Sequence, residues 1–120
     1  MFVNEETVND YKKQGVTLLS NVISSDWLEK LAKGIEKNFL NPSKYKCVYE
    51  QKNSKEIFYD DYCNWQRIEE YKDFIFNSDI AKIAAQLMQS KKVNLFHEHV
   101  LIKEPGAKKR TPWHQDQPYY

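Results

Sequence analysis

The chain has 120 residues, 18 basic against 17 acidic for a formal charge of +1, and 14% of them are aromatic. That length makes one ordinary domain able to bury a core unaided, and the balanced charge excludes an electrostatic footprint for nucleic acid or a membrane surface. Cys47 and Cys63 are too few for a disulfide framework, and the acidic opening MFVNEETVND leads into no apolar run, so a reducing, cytoplasmic setting with neither secretion signal nor membrane span is expected.

In chain order, a first helix is predicted over Asn4 to Gln14, with Asn4 as its cap, Glu5 and Glu6 at the positive end of its dipole, and Gly15 as the left-handed stop. The β-branched run VTLLSNV (Val16 to Val22) reads as a short strand. Ser24 then caps a helix whose apolar positions Leu28, Leu31, Ile35 and Phe39 recur at helical spacing until Pro42 ends it, with Ile23 and Leu28 placed for a hydrophobic staple. KYKCVYE and IFYDDY are two further strand-like segments around a turn at NSK. Helical periodicity returns over Ile68 to Phe76 and, after a cap at Asn77 or Ser78, along Ile80, Ile83, Ala84 and Leu87, with Lys91 and Lys92 suited to the negative helix end. The helices thus fall at about 4–40 and 66–90, and core strands are expected over about 92–120.

KVNLFHEHVLIKEPG has no helical repeat. Alternation places Val93, Leu95, His97, His99, Leu101 and Lys103 on one face and Phe96, Glu98, Val100 and Ile102 on the other, which predicts an interior strand ended by Pro105-Gly106. The lysine-rich AKKR reads as a solvated loop, and TPWHQDQPYY as extended backbone, because residues before Pro112 and Pro118 avoid helical geometry. In extended backbone His114 and Asp116 project to the same side while Gln115 points away. One imidazole nitrogen and one carboxylate oxygen begin a two-histidine, one-carboxylate facial site, the donor set that suits Fe(II) with open positions. The bare spacing is common, so its surroundings decide its weight.

Those surroundings are specific. Lys103-Glu104-Pro105-Gly106, Trp113-His114-Gln115-Asp116 and Pro118-Tyr119-Tyr120 follow one another as they do in the phytanoyl-CoA dioxygenase (PhyH) family, which this chain resembles strongly from about Val93 and more diffusely through YKKQGVTLLSNVISSDWLEKL. The resemblance implies an α+β fold in which a double-stranded β-helix, a cupin-like jelly roll, carries helices packed outside. It implies a non-haem Fe(II), 2-oxoglutarate-dependent dioxygenase that uses O2 to hydroxylate a small organic substrate, with His114 and Asp116 as catalytic metal ligands. It also makes Gln115, Lys103 and His99 contacts for the co-substrate or supports of the ligands, and Trp113 and Tyr119 walls of the substrate pocket. The family's third ligand, a distal histidine, and its 2-oxoglutarate-gripping arginine find no match here, since Arg67 and Arg110 lie elsewhere in the order of motifs. At most five candidate strands are present where a jelly roll uses about eight. The 120 residues are therefore expected to be the N-terminal part of a single, longer oxygenase domain, inactive alone, with an incomplete barrel and an open edge prone to self-association.

Two other readings compete. His97, His99 and Glu104 resemble the first metal motif of cupins, although the flanking glycines of that motif are replaced by Lys91 and Thr111. Alternatively, the chain is a non-catalytic jelly-roll binding domain.

Overall fold

Capping chemistry sets where the helices begin and end. The computed structural model describes residues 3–49, 56–116 and 118; there the order is α1 (Glu5–Gln14), α2 (Ser25–Leu40), β1 (Cys47–Tyr49), β2 (Phe58–Tyr62), α3 (Glu69–Asn77), α4 (Ile80–Leu87) and β3 (His99–Lys103). Asn4 caps α1 reciprocally: its side chain accepts from the Thr7 amide at 2.8 Å, and its own amide donates to the Thr7 hydroxyl at 3.0 Å. Gly15 closes α1 at φ 75°, a left-handed conformation that a side chain would oppose. Ser24 accepts from the Trp27 amide at the start of α2. α4 begins a residue later than predicted, after Asp79, and the Ser78 hydroxyl accepts from the Ile80 amide at 3.3 Å.

Val16 to Val22 is not a strand. Leu19 and Val22 pack on a cluster of Val3, Val8 and Ile83, while Val16 and Leu18 face outward and Asn21 turns the chain at φ 59°. The run is extended in part, but its inward side chains are covered by the α1–α4 pair instead of by a neighbouring strand.

The three strands form an antiparallel sheet in the order β1-β2-β3. β3 is thus an edge strand among the described residues, shorter than the interior strand expected, and 92–98 have no regular structure. Glu98 explains the shortening. Its carboxylate accepts from the amides of Asn64 and Trp65, and its carbonyl accepts from the Cys63 amide at 3.3 Å, so it closes the turn after β2.

The register Tyr59↔Ile102, Asp61↔Val100 and Val48↔Tyr59 puts these side chains on one face of the sheet. Opposite that face lie α2 and α3, which supply Leu31, Ile35, Tyr71 and Phe74 to a shared apolar groove. Phe39 meets Tyr59 with ring centroids 4.4 Å apart, and Trp27 meets Phe74 edge-on at 5.6 Å. α2 and α3 cross closely at Gly34, where a β-carbon would stand 2.7 Å from Tyr71 Cε1 and 3.0 Å from Glu70 Cβ. Lys30–Asp73 and Lys37–Glu70 ion pairs flank that crossing.

A polar network lies inside this apolar packing. Asp61 is fully buried and accepts from the Ser43 amide at 2.9 Å, the Ser43 hydroxyl, Asn38 Nδ2 at 2.7 Å and the Tyr59 hydroxyl at 3.1 Å. The Tyr71 hydroxyl donates to Asn38 Oδ1 at 3.3 Å and so brings α3 into the network. Burial opposes ionisation of Asp61, but the hydrogen bonds from Ser43 and Asn38 outweigh it and hold the carboxyl at about 2. Burial first, and then the Asp61 charge, push Tyr59 up to about 12, so its hydroxyl remains a donor.

Gly34→Ala is expected to destabilise the fold by about 1–3 kcal/mol, because Tyr71 must be displaced, and thermal unfolding reads the cost directly. The depressed carboxyl of Asp61 contributes stability that is present above the ordinary 3.8 and lost as pH falls toward about 2. That loss is about 2 kcal/mol, and Asp61→Asn should flatten this part of the acid-unfolding profile.

Candidate metal centre

The opposite face of the sheet carries Cys47 and Tyr49 from β1, Phe58, Asp60 and Tyr62 from β2, and His99 and Leu101 from β3. His99 and Asp60 meet on this face as a diagonal cross-strand pair, with the imidazole Nε2 donating to Asp60 Oδ1 at 2.9 Å. The Tyr62 ring lies edge-on to His99, with centroids 5.4 Å apart, and stacks on Tyr45 at 4.8 Å. Tyr49 is pushed above its ordinary value, chiefly by its hydrogen bond with Cys47 and then by the Cys47 charge, burial and the Asp60 charge, so its phenol stays protonated.

Glu104 turns the chain back across this face. Its amide donates to the Ile57 carbonyl at 3.1 Å, and its carboxylate accepts from the Ile57 amide at 2.8 Å, which extends the β2–β3 ladder by a side-chain rung. Ala107 then donates to the Glu104 carbonyl at 3.0 Å, and Gly106 takes φ 96°, where its bare α-carbon also lets Glu56 approach. The Lys-Glu-Pro-Gly run is therefore a turn with identifiable contacts. Beyond it, residues 109–116 cover the sheet face and enclose a cavity of about 560 Å³ with Tyr49, Asp60, His99 and Leu101.

His114 and Asp116 line this cavity side by side, His114 Nε2 lying 3.2 Å from Asp116 Oδ1. Two donors about 2.1 Å from a common ion and at right angles to each other lie about 3 Å apart, so the pair is spaced as adjacent metal ligands. His114 Nδ1 donates to the Pro112 carbonyl at 2.8 Å. A carbonyl only accepts, so the proton on Nδ1 is assigned, and Nε2 is the ring atom presented to Asp116. Support of a histidine ligand through its other nitrogen is the usual arrangement in metal sites, so the donor set fits a divalent ion. Among the described residues, no group of three or more His, Cys, Asp or Glu stands where it could hold one.

The remaining sequence-named residues divide by position. His99 lies in the cavity with His114 and Asp116, and Trp113 borders it while staying fully exposed. Lys103 lies exposed at the far end of β3, and Gln115 is exposed beside the pair, neither of them among the residues lining the cavity. Tyr119 falls outside the described residues. No strand follows Lys103 among the described residues, so His114 and Asp116 are brought together by a hydrogen-bonded loop and not by strand parity. In the cupin-like set, His97 and His99 have ring centroids 6.2 Å apart, while Glu104 is engaged at Ile57. Asp60 and Tyr49 were not singled out from sequence. Their signal was the alternation of IFYDDY, which separates Asp60 from its buried neighbours Tyr59 and Asp61. No helix among the described residues is long and apolar enough to cross a membrane.

Glu104→Ala should remove the side-chain rung at Ile57 and cost about 1 kcal/mol in thermal unfolding while leaving ferrous-ion affinity unchanged. A loss of ion binding in that variant would return Glu104 to the ligand set.

No curated protein and no solved structure matches the chain. The sequence model of the family described as phytanoyl-CoA dioxygenase (PhyH) matches residues 11–120, nearly the whole length. The chain belongs to the phytanoyl-CoA dioxygenase (PhyH) family.

Proposed function

We propose that His114 and Asp116 are two protein ligands of a ferrous ion in a 2-oxoglutarate-dependent dioxygenase that hydroxylates a small organic substrate on a cupin-like jelly-roll scaffold. Membership of a dioxygenase family that is generally dependent on Fe(II) and 2-oxoglutarate supports the chemistry. The observation that carries the assignment of residues is the 3.2 Å approach of His114 Nε2 to Asp116 Oδ1, with the other ring nitrogen committed to Pro112. When bound, iron with 2-oxoglutarate and O2 supplies the oxidising power to hydroxylate an unactivated C–H bond.

The chain's own residues have narrower tasks. The Pro112 carbonyl orients the His114 ring and fixes its tautomer. Asp116 adds a negative oxygen that lowers the charge of the site. The wall formed by Tyr49, Phe58 and Leu101 limits water around the reacting groups, and Asp60 holds His99 within the same cavity.

Anaerobic titration with Fe(II) tests the assignment. His114→Ala and Asp116→Ala should each lower affinity by at least 10- to 100-fold, and His97→Ala should leave it unchanged. Loss of binding in His97→Ala with retention in His114→Ala would favour the cupin-like ligand set, and a wild-type chain that binds no ferrous ion would favour a non-catalytic binding domain.

A further inference from the structure

The cavity wall that carries His99 is backed by tyrosines. Tyr62 lies edge-on to His99 with ring centroids 5.4 Å apart, and it stacks on Tyr45 at 4.8 Å with 15° between the planes. His99 lines the cavity, Tyr62 is half-buried and Tyr45 is 41% exposed, so the three rings step from the cavity to solvent. A phenol gives up an electron far more readily than a benzene ring does. The ring pairs Trp27–Phe74, Phe39–Tyr59, Tyr49–Phe58 and Trp65–Phe76 each contain a phenylalanine, whereas both members of the Tyr45–Tyr62 stack can be oxidised in turn. The Lys44 ammonium stands 5.0 Å from the centre of the Tyr45 ring and opposes positive charge on it, so Tyr45 releases its phenol proton to water when it loses an electron.

We infer that Tyr62 and Tyr45 form a relay that carries an oxidising equivalent from the cavity beside His114 and Asp116, past His99, to the surface. The relay rests on the dioxygenase reading for a site at which oxidant forms, and it adds a way to discharge that oxidant when no substrate is there to be hydroxylated. Electrons move inward from Tyr45 to Tyr62 to the cavity, and the net product on the chain is a neutral phenoxyl radical at Tyr45. With hydrogen peroxide as the oxidant, a bound ferrous ion supplies one electron and Tyr45 supplies the other with a proton. The peroxide leaves as one hydroxide and one water, and the ion is left ferric.

Addition of one equivalent of hydrogen peroxide to the anaerobic, ferrous-loaded chain tests the relay. The readouts are freeze-quenched electron paramagnetic resonance and peptide mass spectrometry after capture with a nitroso spin trap. Wild type should give a tyrosyl signal and carry trap adducts at Tyr45 several-fold above those at Tyr11, which lies on α1 and serves as the bystander. Tyr62→Phe, which keeps a ring in the stack but cannot be oxidised, should lower Tyr45 adducts to the Tyr11 level and raise oxidation at His99 and His114. Tyr45→Phe should leave the radical on Tyr62. The relay is overturned if wild type labels Tyr45 and Tyr11 equally, if Tyr45 labelling survives Tyr62→Phe, or if Tyr45→Phe shows no radical on Tyr62. A chain that takes up ferrous ion and is oxidised at His99 and His114 alone overturns the relay and leaves the metal assignment standing. Tyr62-dependent labelling of Tyr45 that persists in His114→Ala does the reverse.

Discussion

A buried carboxylate in the middle of a short strand is the constraint on which the rest of the molecule depends. Asp61 sits under α2 with no exposure, and it is tolerated there because Ser43, Asn38 and Tyr59 all direct donors at it. Those donors come from the end of α2, the loop after it and β2 itself, while Tyr71 ties α3 to the same cluster through Asn38. Apolar contact alone would let α2 slide along the sheet at little cost. A carboxylate that loses its donors has no such freedom, so the network sets the register of helices on strands.

Once β2 is held in that register, its pleat decides what faces the other way. Tyr59 and Asp61 are taken by the helices, so Phe58, Asp60 and Tyr62 must present to the opposite side, and antiparallel pairing brings Tyr49 and His99 alongside them. The cavity wall is in this sense a by-product of the buried network. The segment that completes the cavity is held by short-range bonds of a different kind: the Glu104 carboxylate on the Ile57 amide, the Gly106 turn and the His114–Pro112 hydrogen bond.

Much of the local structure was legible in the residues. The caps at Asn4, Gly15 and Ser24, the stop before Pro42 and the apolar side of α4 follow from side-chain chemistry acting over one turn of helix, and all appear as expected. Val16–Val22 was misread because β-branched content reports a preference for extended backbone without saying what will cover it; here two helices do the covering. The stretch from Val93 was overextended for a related reason. Its period-two pattern continues through residues 93–98, but Glu98 gives up a place in the ladder to close the turn at Asn64 and Trp65.

The sequence by itself determined the caps of α1 and α2, the order of motifs around His114 and Asp116 and the family that the chain belongs to, because each depends on residues close together along the chain or on motifs in a set order. Only the tertiary structure decided that Asp60 and Tyr49 share a cavity with that pair, that Glu104 is committed to Ile57, and that Arg110 stands at the cavity while Arg67 does not. These facts depend on strand register and on a chain reversal, which bring together groups tens of residues apart, and neither leaves a periodic trace in composition or spacing.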